Sequence, residues 1–132
     1  MVRRALEASA NSRATLLGKL RSRRSLSEKM RAEGMTLDYA PDDDYLAITF
    51  GQPSESVSLP SDAGVYLLLD PDSGELNALE VPFFRETLER GKLKDEFWQV
   101  AAKWINAGHT SVHIPPHLED RAEEALRQLI PA

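Results

Sequence analysis

The chain has 132 residues, no cysteine, a 42% hydrophobic and 28% charged composition, and a formal net charge of −5. That length suits one domain with its own core, and the missing cysteines exclude a disulfide framework, a thiolate nucleophile and a cysteine-built zinc knuckle. The longest apolar stretch, Val65 to Leu69, is far too short to cross a bilayer, so a cytoplasmic protein without a membrane partner is expected.

Residues 1–34 form a basic arm: nine Lys/Arg face three Glu, a net of +6, while residues 35–132 carry a net of −11. Leu6, Ala10, Ala14, Leu17 and Leu20 fall near helical spacing, which predicts a helix with a thin apolar stripe. Ser25-Leu26-Ser27-Glu28 reads as a capping box that starts a second helical piece, and Gly34 supplies the left-handed position that ends it. So narrow a stripe needs a partner surface to be stable.

From Met35 the hydrophobic period changes to two. Leu37 and Tyr39, then Leu46, Ile48 and Phe50, then Val57 and Leu59 mark inward positions of successive strands, with turns at 41–44, 51–54 and 60–64. Val65–Leu69 is apolar on both faces, as a central strand should be, and Asp70-Pro71-Asp72-Ser73-Gly74 turns the chain into Leu76–Val81. Short polar connections favour adjacent antiparallel neighbours, so a five-stranded meander over residues 37–81 is expected.

Helices are expected over 82–130. Pro82 suits a first helical turn; Phe97, Val100, Ala101, Trp104 and Ile105 trace an amphipathic stripe that leaves Trp98 as the surface aromatic. Thr110–Ile114 reads as a sixth short strand, and Pro115-Pro116 separates it from a terminal helix. The fold class is α+β, with 35–132 as the body and 1–34 as the arm.

Tyr39-Ala40-Pro41-Asp42-Asp43-Asp44-Tyr45-Leu46-Ala47-Ile48, followed by Gly64-Val65, Leu69-Asp70-Pro71-Asp72-Ser73-Gly74 and Ala78-Leu79-Glu80, resembles the motif pattern of a small bacterial family, domain of unknown function twenty-two eighty-three. Tyr39, Pro41, Asp44, Leu46, Ile48, Asp70, Gly74 and Glu80 carry the match; Ala40, Ala47 and Ala78 depart from it where Asp, an aromatic and Gly are usual. The resemblance covers residues 37–82 and implies a small bacterial sheet domain, a shape rather than an activity.

Four features invite chemistry. Asp42-Asp43-Asp44 offers carboxylates to a divalent cation, but consecutive residues cannot all aim at one point and a hairpin turn explains them better. Asp70-x-Asp72-x-Gly74 begins like a calcium loop but has Glu75 where Gly is needed and Val81 where the bidentate Glu belongs. His109, His113 and His117 stand four apart, a spacing that would align imidazoles for a transition metal on one helix; Pro115 and Pro116 interrupt that helix, leaving a loop-built metal site as the remaining option. No P-loop, nucleophile elbow or dinucleotide fingerprint occurs, and no cofactor is indicated.

The fourth feature is the basic arm. Arg13, Lys19, Arg21, Arg23 and Arg24 are suited to phosphates of a nucleic acid, to an acidic surface of the same protein or a second copy, or to solvent alone. The acidic body would repel a polyanion beyond the arm, which favours protein docking. The expectation is a non-enzymatic interaction domain that self-associates as a homo-oligomer; the alternatives are a DNA-binding regulatory or antitoxin-like protein and, behind it, a metal-dependent enzyme built on the histidines.

Overall fold

A computed structural model describes residues 5–7, 32–51, 55–61 and 64–129. The class is α+β. The strands are β1 (Ala5–Glu7), β2 (Met35–Ala40), β3 (Tyr45–Phe50), β4 (Ser56–Pro60), β5 (Tyr66–Leu69), β6 (Leu76–Pro82) and β7 (Ser111–His113). The α-helices α1 (Phe84–Glu89), α2 (Glu96–Asn106) and α3 (Glu119–Arg127) follow the sheet's long strands, with a 3-10 turn at Pro116–Leu118 leading into α3.

All five strands of the expected meander form, but in another order. The sheet runs β1-β4-β5-β6-β3-β2-β7. The expected neighbours hold for β2 and β3 and through β4, β5 and β6; the meander breaks between them, where β3 pairs with β6, not with β4. Burial explains the order. Leu76, Asn77, Ala78, Leu79 and Val81 of β6 are buried, so this strand needs neighbours on both edges and cover on both faces, and it takes the centre of the sheet. Consecutive in the chain, β3 and β4 are therefore three places apart in the sheet. The sixth short strand lies at the edge beside β2, as Thr36↔His113 and Asp38↔Ser111.

Of the arm, β1 and residues 32–34 are described. Ala5–Glu7 is extended and pairs parallel with β4, not helical as the spacing of Leu6 suggested. A three-residue stretch joins an open sheet edge at little entropic cost, and a stripe carried by three leucines and two alanines gives that end of the arm little reason to coil. The rest of the expected arm helices, including Arg13, Lys19, Arg21, Arg23 and Arg24, lies outside the described residues. Gly34 does take a positive φ of 78°, and a Cβ there would stand 2.9 Å from His113 Cε1. The conformation favours glycine at this point, while a Cβ would also have to displace the exposed end of the His113 ring.

One face of the sheet carries the core. Leu37, Leu46, Ile48, Leu67, Leu79 and Val81 pack with Phe84, Phe97, Trp98, Ala101 and Leu126 of the helices. Trp98 is 1% exposed and belongs to this core, which corrects its expected surface position; the half-buried tryptophan is Trp104. The helix lies against a sheet and two other helices, so the buried sector of α2 widens to include both Phe97 and Trp98. Asp95 caps α2, accepting the Phe97 amide at 2.9 Å. Pro82 ends β6, opposite Tyr45, and does not open a helix; the turn into α1 is made by Phe83.

A bulge interrupts the β5–β6 register between Leu68 and Leu69. Asn77, opposite the bulge, donates its Nδ2 to Ser56 Oγ at 3.0 Å; both side chains are buried. Such a bond satisfies polar groups that would otherwise each lose their water uncompensated.

Candidate functional site

The densest polar and aromatic cluster sits where the β2–β3 hairpin meets the β6–α1 junction. The Asp42-Asp43-Asp44 turn forms with Asp43 N donating to Ala40 O at 3.2 Å. Asp44 leaves the turn with φ 51°, a left-handed conformation that a short polar side chain tolerates better than most. Its carboxylate accepts the Tyr39 hydroxyl at 2.6 Å and the Arg85 amide at 3.1 and 3.2 Å from its two oxygens. Its backbone carbonyl accepts the Phe84 amide at 2.9 Å. Two free amides of α1 are thus capped by a residue 40 positions away, which serves in place of the missing side-chain cap at Phe83.

Around this carboxylate the aromatic rings form a chain. Tyr39 meets Phe84 edge to face at 6.2 Å, Phe84 meets Trp98 at 6.4 Å, and Trp98 meets Phe97 at 5.2 Å. The Arg85 guanidinium lies 5.8 Å over the Tyr39 ring. Burial of Tyr39, reinforced by its bond to the Asp44 carboxylate and only partly offset by Arg85, raises its pKa above the usual 10.0. A phenol held neutral that far above pH 7 is suited to donating a fixed hydrogen bond, not to exchanging protons with a substrate. The cluster therefore has the chemistry of a brace.

Two shallow cavities flank the α1 junction. One, of about 230 Å³, is lined by Phe84, Arg85, Leu88, Ala102, Ile105 and Asn106. The other, of about 240 Å³, lies between Pro82, Phe83, Thr87, Arg90 and Lys92. Both fall below the few hundred Å³ that ordinarily enclose a small ligand.

The remaining sequence candidates are distributed. Asp70 accepts the Asp72 and Ser73 amides at 2.9 and 2.8 Å, and Gly74 closes the same turn at φ 76°, so the short calcium-like motif is a tight strand connection. Glu80 lies on β6, with Ala47 on one side and Tyr66 on the other. His109 follows α2, its amide on the Trp104 carbonyl at 2.9 Å; His113 is on β7 and His117 in the 3-10 turn, all three exposed. Among the described residues no group of three or more His, Asp or Glu is placed to hold a metal ion, because the two prolines carry the chain from strand to turn between His113 and His117. No described helix is long and apolar enough to cross a membrane.

The family resemblance marked both Tyr39 and Asp44, but Arg85 and the capping role of Asp44 went unmarked, since a contact over 41 positions has no periodic signature. One sign was available: Pro82-Phe83-Phe84 opens a helix with no Ser, Thr, Asp or Asn to cap it, so the cap had to come from elsewhere. No family model matches the chain, and neither a curated protein nor a solved structure matches it.

Proposed function

We propose that this chain is a protein-interaction domain that self-associates through its basic N-terminal segment, residues 1–34. The observation that carries this is the division of charge, +6 in that segment against −11 in the rest. Opposite fields of this size draw two copies together and orient them. The sheet supplies an acidic surface of the right kind, with Asp38 exposed on β2 and Glu80 half-buried on β6, on either side of Ala47. The resemblance over residues 37–82 fits, because its motif positions have architectural work: Leu46 and Ile48 in the core, Tyr39 and Asp44 in the brace, Asp70 and Gly74 in a turn.

The test is the native mass of the full chain by light scattering across salt concentration. A dimer or larger at low salt, falling toward the monomer at high salt and in the Arg21→Glu, Arg23→Glu, Arg24→Glu triple variant, is expected. A monomer at every concentration and salt would end the proposal. A particle of monomer mass that gains mass only on adding duplex DNA would transfer the segment to nucleic acid.

A further inference from the structure

We infer that two copies of this chain meet edge to edge along β7, each Ser111–His113 strand pairing antiparallel with its counterpart so that two sheets become one. This rests on the reading that the chain self-associates, and it names where the two bodies touch.

The edge is open, and its bonding pattern is fixed by β2. Among the described residues β7 is the last strand of the sheet and has β2 on one side only. Thr110 O accepts the Tyr39 amide at 2.8 Å, and the Ile114 amide donates to Met35 O at 2.9 Å, so Thr110, Val112 and Ile114 are the residues that bond toward β2. By antiparallel alternation the N–H and C=O of Ser111 and His113 point the other way, and both residues are exposed. Four backbone groups thus stand open to a further strand. Apart from its brevity the strand has none of the devices that deter such pairing, since Ser111–His113 contains no Lys, no Pro and no bulge.

The pattern is also self-complementary. Set antiparallel about Val112, each Ser111 exchanges both its bonds with the second copy's His113, so every open group finds a partner. Only slips of two residues keep open groups facing each other. One such slip sets Ser111 opposite Pro115, which has no N–H; the other sets His113 opposite His109, beyond the strand. Val112, level with Leu37 and packed against the core, then meets its own counterpart in the close, non-hydrogen-bonded pair.

Charge selects this edge for a second copy. Residues 35–132 carry a net of −11, and two such bodies repel wherever carboxylates face each other. Residues 97–118 contain no Asp or Glu, the longest such run in the body, and β7 lies within it. The ionisable groups of that run are Lys103, His109, His113 and His117, none of which adds negative charge to the seam. The opposite edge of the sheet, β1, carries Glu7. On the outer face the seam sets His113 of one copy two strands from Asp38 of the other, with only the small Ser111 between them. The root of the basic segment adjoins the same place, because a Cβ on Gly34 would stand 2.9 Å from His113 Cε1. Each basic segment is therefore rooted beside the other copy's acidic body. A seam this short is too small to hold two copies by itself, and attraction between segment and body supplies the rest.

The chain has no cysteine, so an introduced thiol reports on the seam alone. In full-length Val112→Cys at low salt the two thiols belong to a pair with Cα atoms about 4.5 Å apart, within disulfide reach, and oxidation is expected to convert most of the protein to a reducible dimer. In Ser111→Cys the thiols are more exposed but their Cα atoms stand roughly 8 Å apart, too far for a disulfide, and little dimer is expected. Equal yields from the two variants would mean random collision and overturn the seam. Ser111→Pro removes an N–H that points away from β2, so its urea unfolding should match wild type while its native mass falls to the monomer. An unchanged dimer mass in that variant would overturn the seam and leave self-association intact. A wild type of monomer mass at every concentration, with no disulfide dimer from Val112→Cys, would remove both.

Discussion

Replacing Asp44 isolates the brace at the hairpin–helix corner. Its carboxylate serves the Tyr39 hydroxyl and the Arg85 amide, and its φ of 51° imposes a separate backbone condition. Bonds to a charged acceptor contribute about 1.5–3 kcal/mol each, and the low end applies because Asp44 is only half-buried, giving about 3 kcal/mol for the pair. Alanine removes both bonds and also suffers at positive φ, by about 1 kcal/mol. Asp44→Ala is thus expected to cost about 4 kcal/mol, Asp44→Gly about 3, and Asp44→Asn, which keeps one acceptor oxygen, about 1–2. With an unfolding entropy of about 2.1 cal/mol/K per residue, the alanine variant should melt about 14 °C below wild type.

Urea unfolding with an unchanged slope is the assay, because it reports stability separately from compactness. A double-mutant cycle with Tyr39→Phe adds a second reading: the two share one bond, so the pair should fall short of additivity by about 1 kcal/mol. The reasoning fails if Asp44→Ala stays within 0.5 kcal/mol of wild type, taken as about the size of a surface substitution, or if glycine and alanine there are equal.

Two further outcomes follow from the same corner. Phe83 combines φ 53° with 62% exposure, so Phe83→Gly releases backbone strain while giving up little buried surface; a gain of about 1 kcal/mol in urea is expected, and a loss would mean the ring has packing that its exposure does not reveal. Tyr39 has a raised pKa, so its neutral form is favoured in the fold: that contribution is complete below the usual 10.0 and is lost as pH rises through the folded value. Wild type should therefore lose stability more steeply than Tyr39→Phe above pH 10.0, and parallel curves would refute the assignment.

Elements were legible in the sequence where one local rule governs them. The alternation of Leu46, Ile48 and Phe50 gave β3, and the stripe of Phe97, Ala101 and Ile105 gave α2, because side-chain period acts within a few residues. Strand order is another matter. Period two says which face a residue occupies but not which strand lies beside it, and the short link after Phe50 made β4 look like the neighbour of β3. The better guide was the run Leu76-Asn77-Ala78-Leu79: a strand buried on both faces belongs at the centre, and only β3 and β5 were free to flank it. Trp98 was misplaced for a related reason, since a narrow stripe suits a helix packed on one neighbour and α2 has several.

The Asp44 corner follows from the strand order. Placing β6 between β5 and β3 brings the end of β6 beside the start of β3, at Pro82 and Tyr45. The chain must then leave the sheet and turn into α1 within one residue, which is why Phe83 takes a left-handed conformation and cannot supply its own cap. Asp44, left-handed at the matching point of the opposite hairpin, reaches the two amides that this turn exposes, and Tyr39 fixes its carboxylate from below. The two strained residues are therefore one arrangement: the hairpin's strain aims the carboxylate, and the carboxylate stabilises the helix that the second strained residue begins.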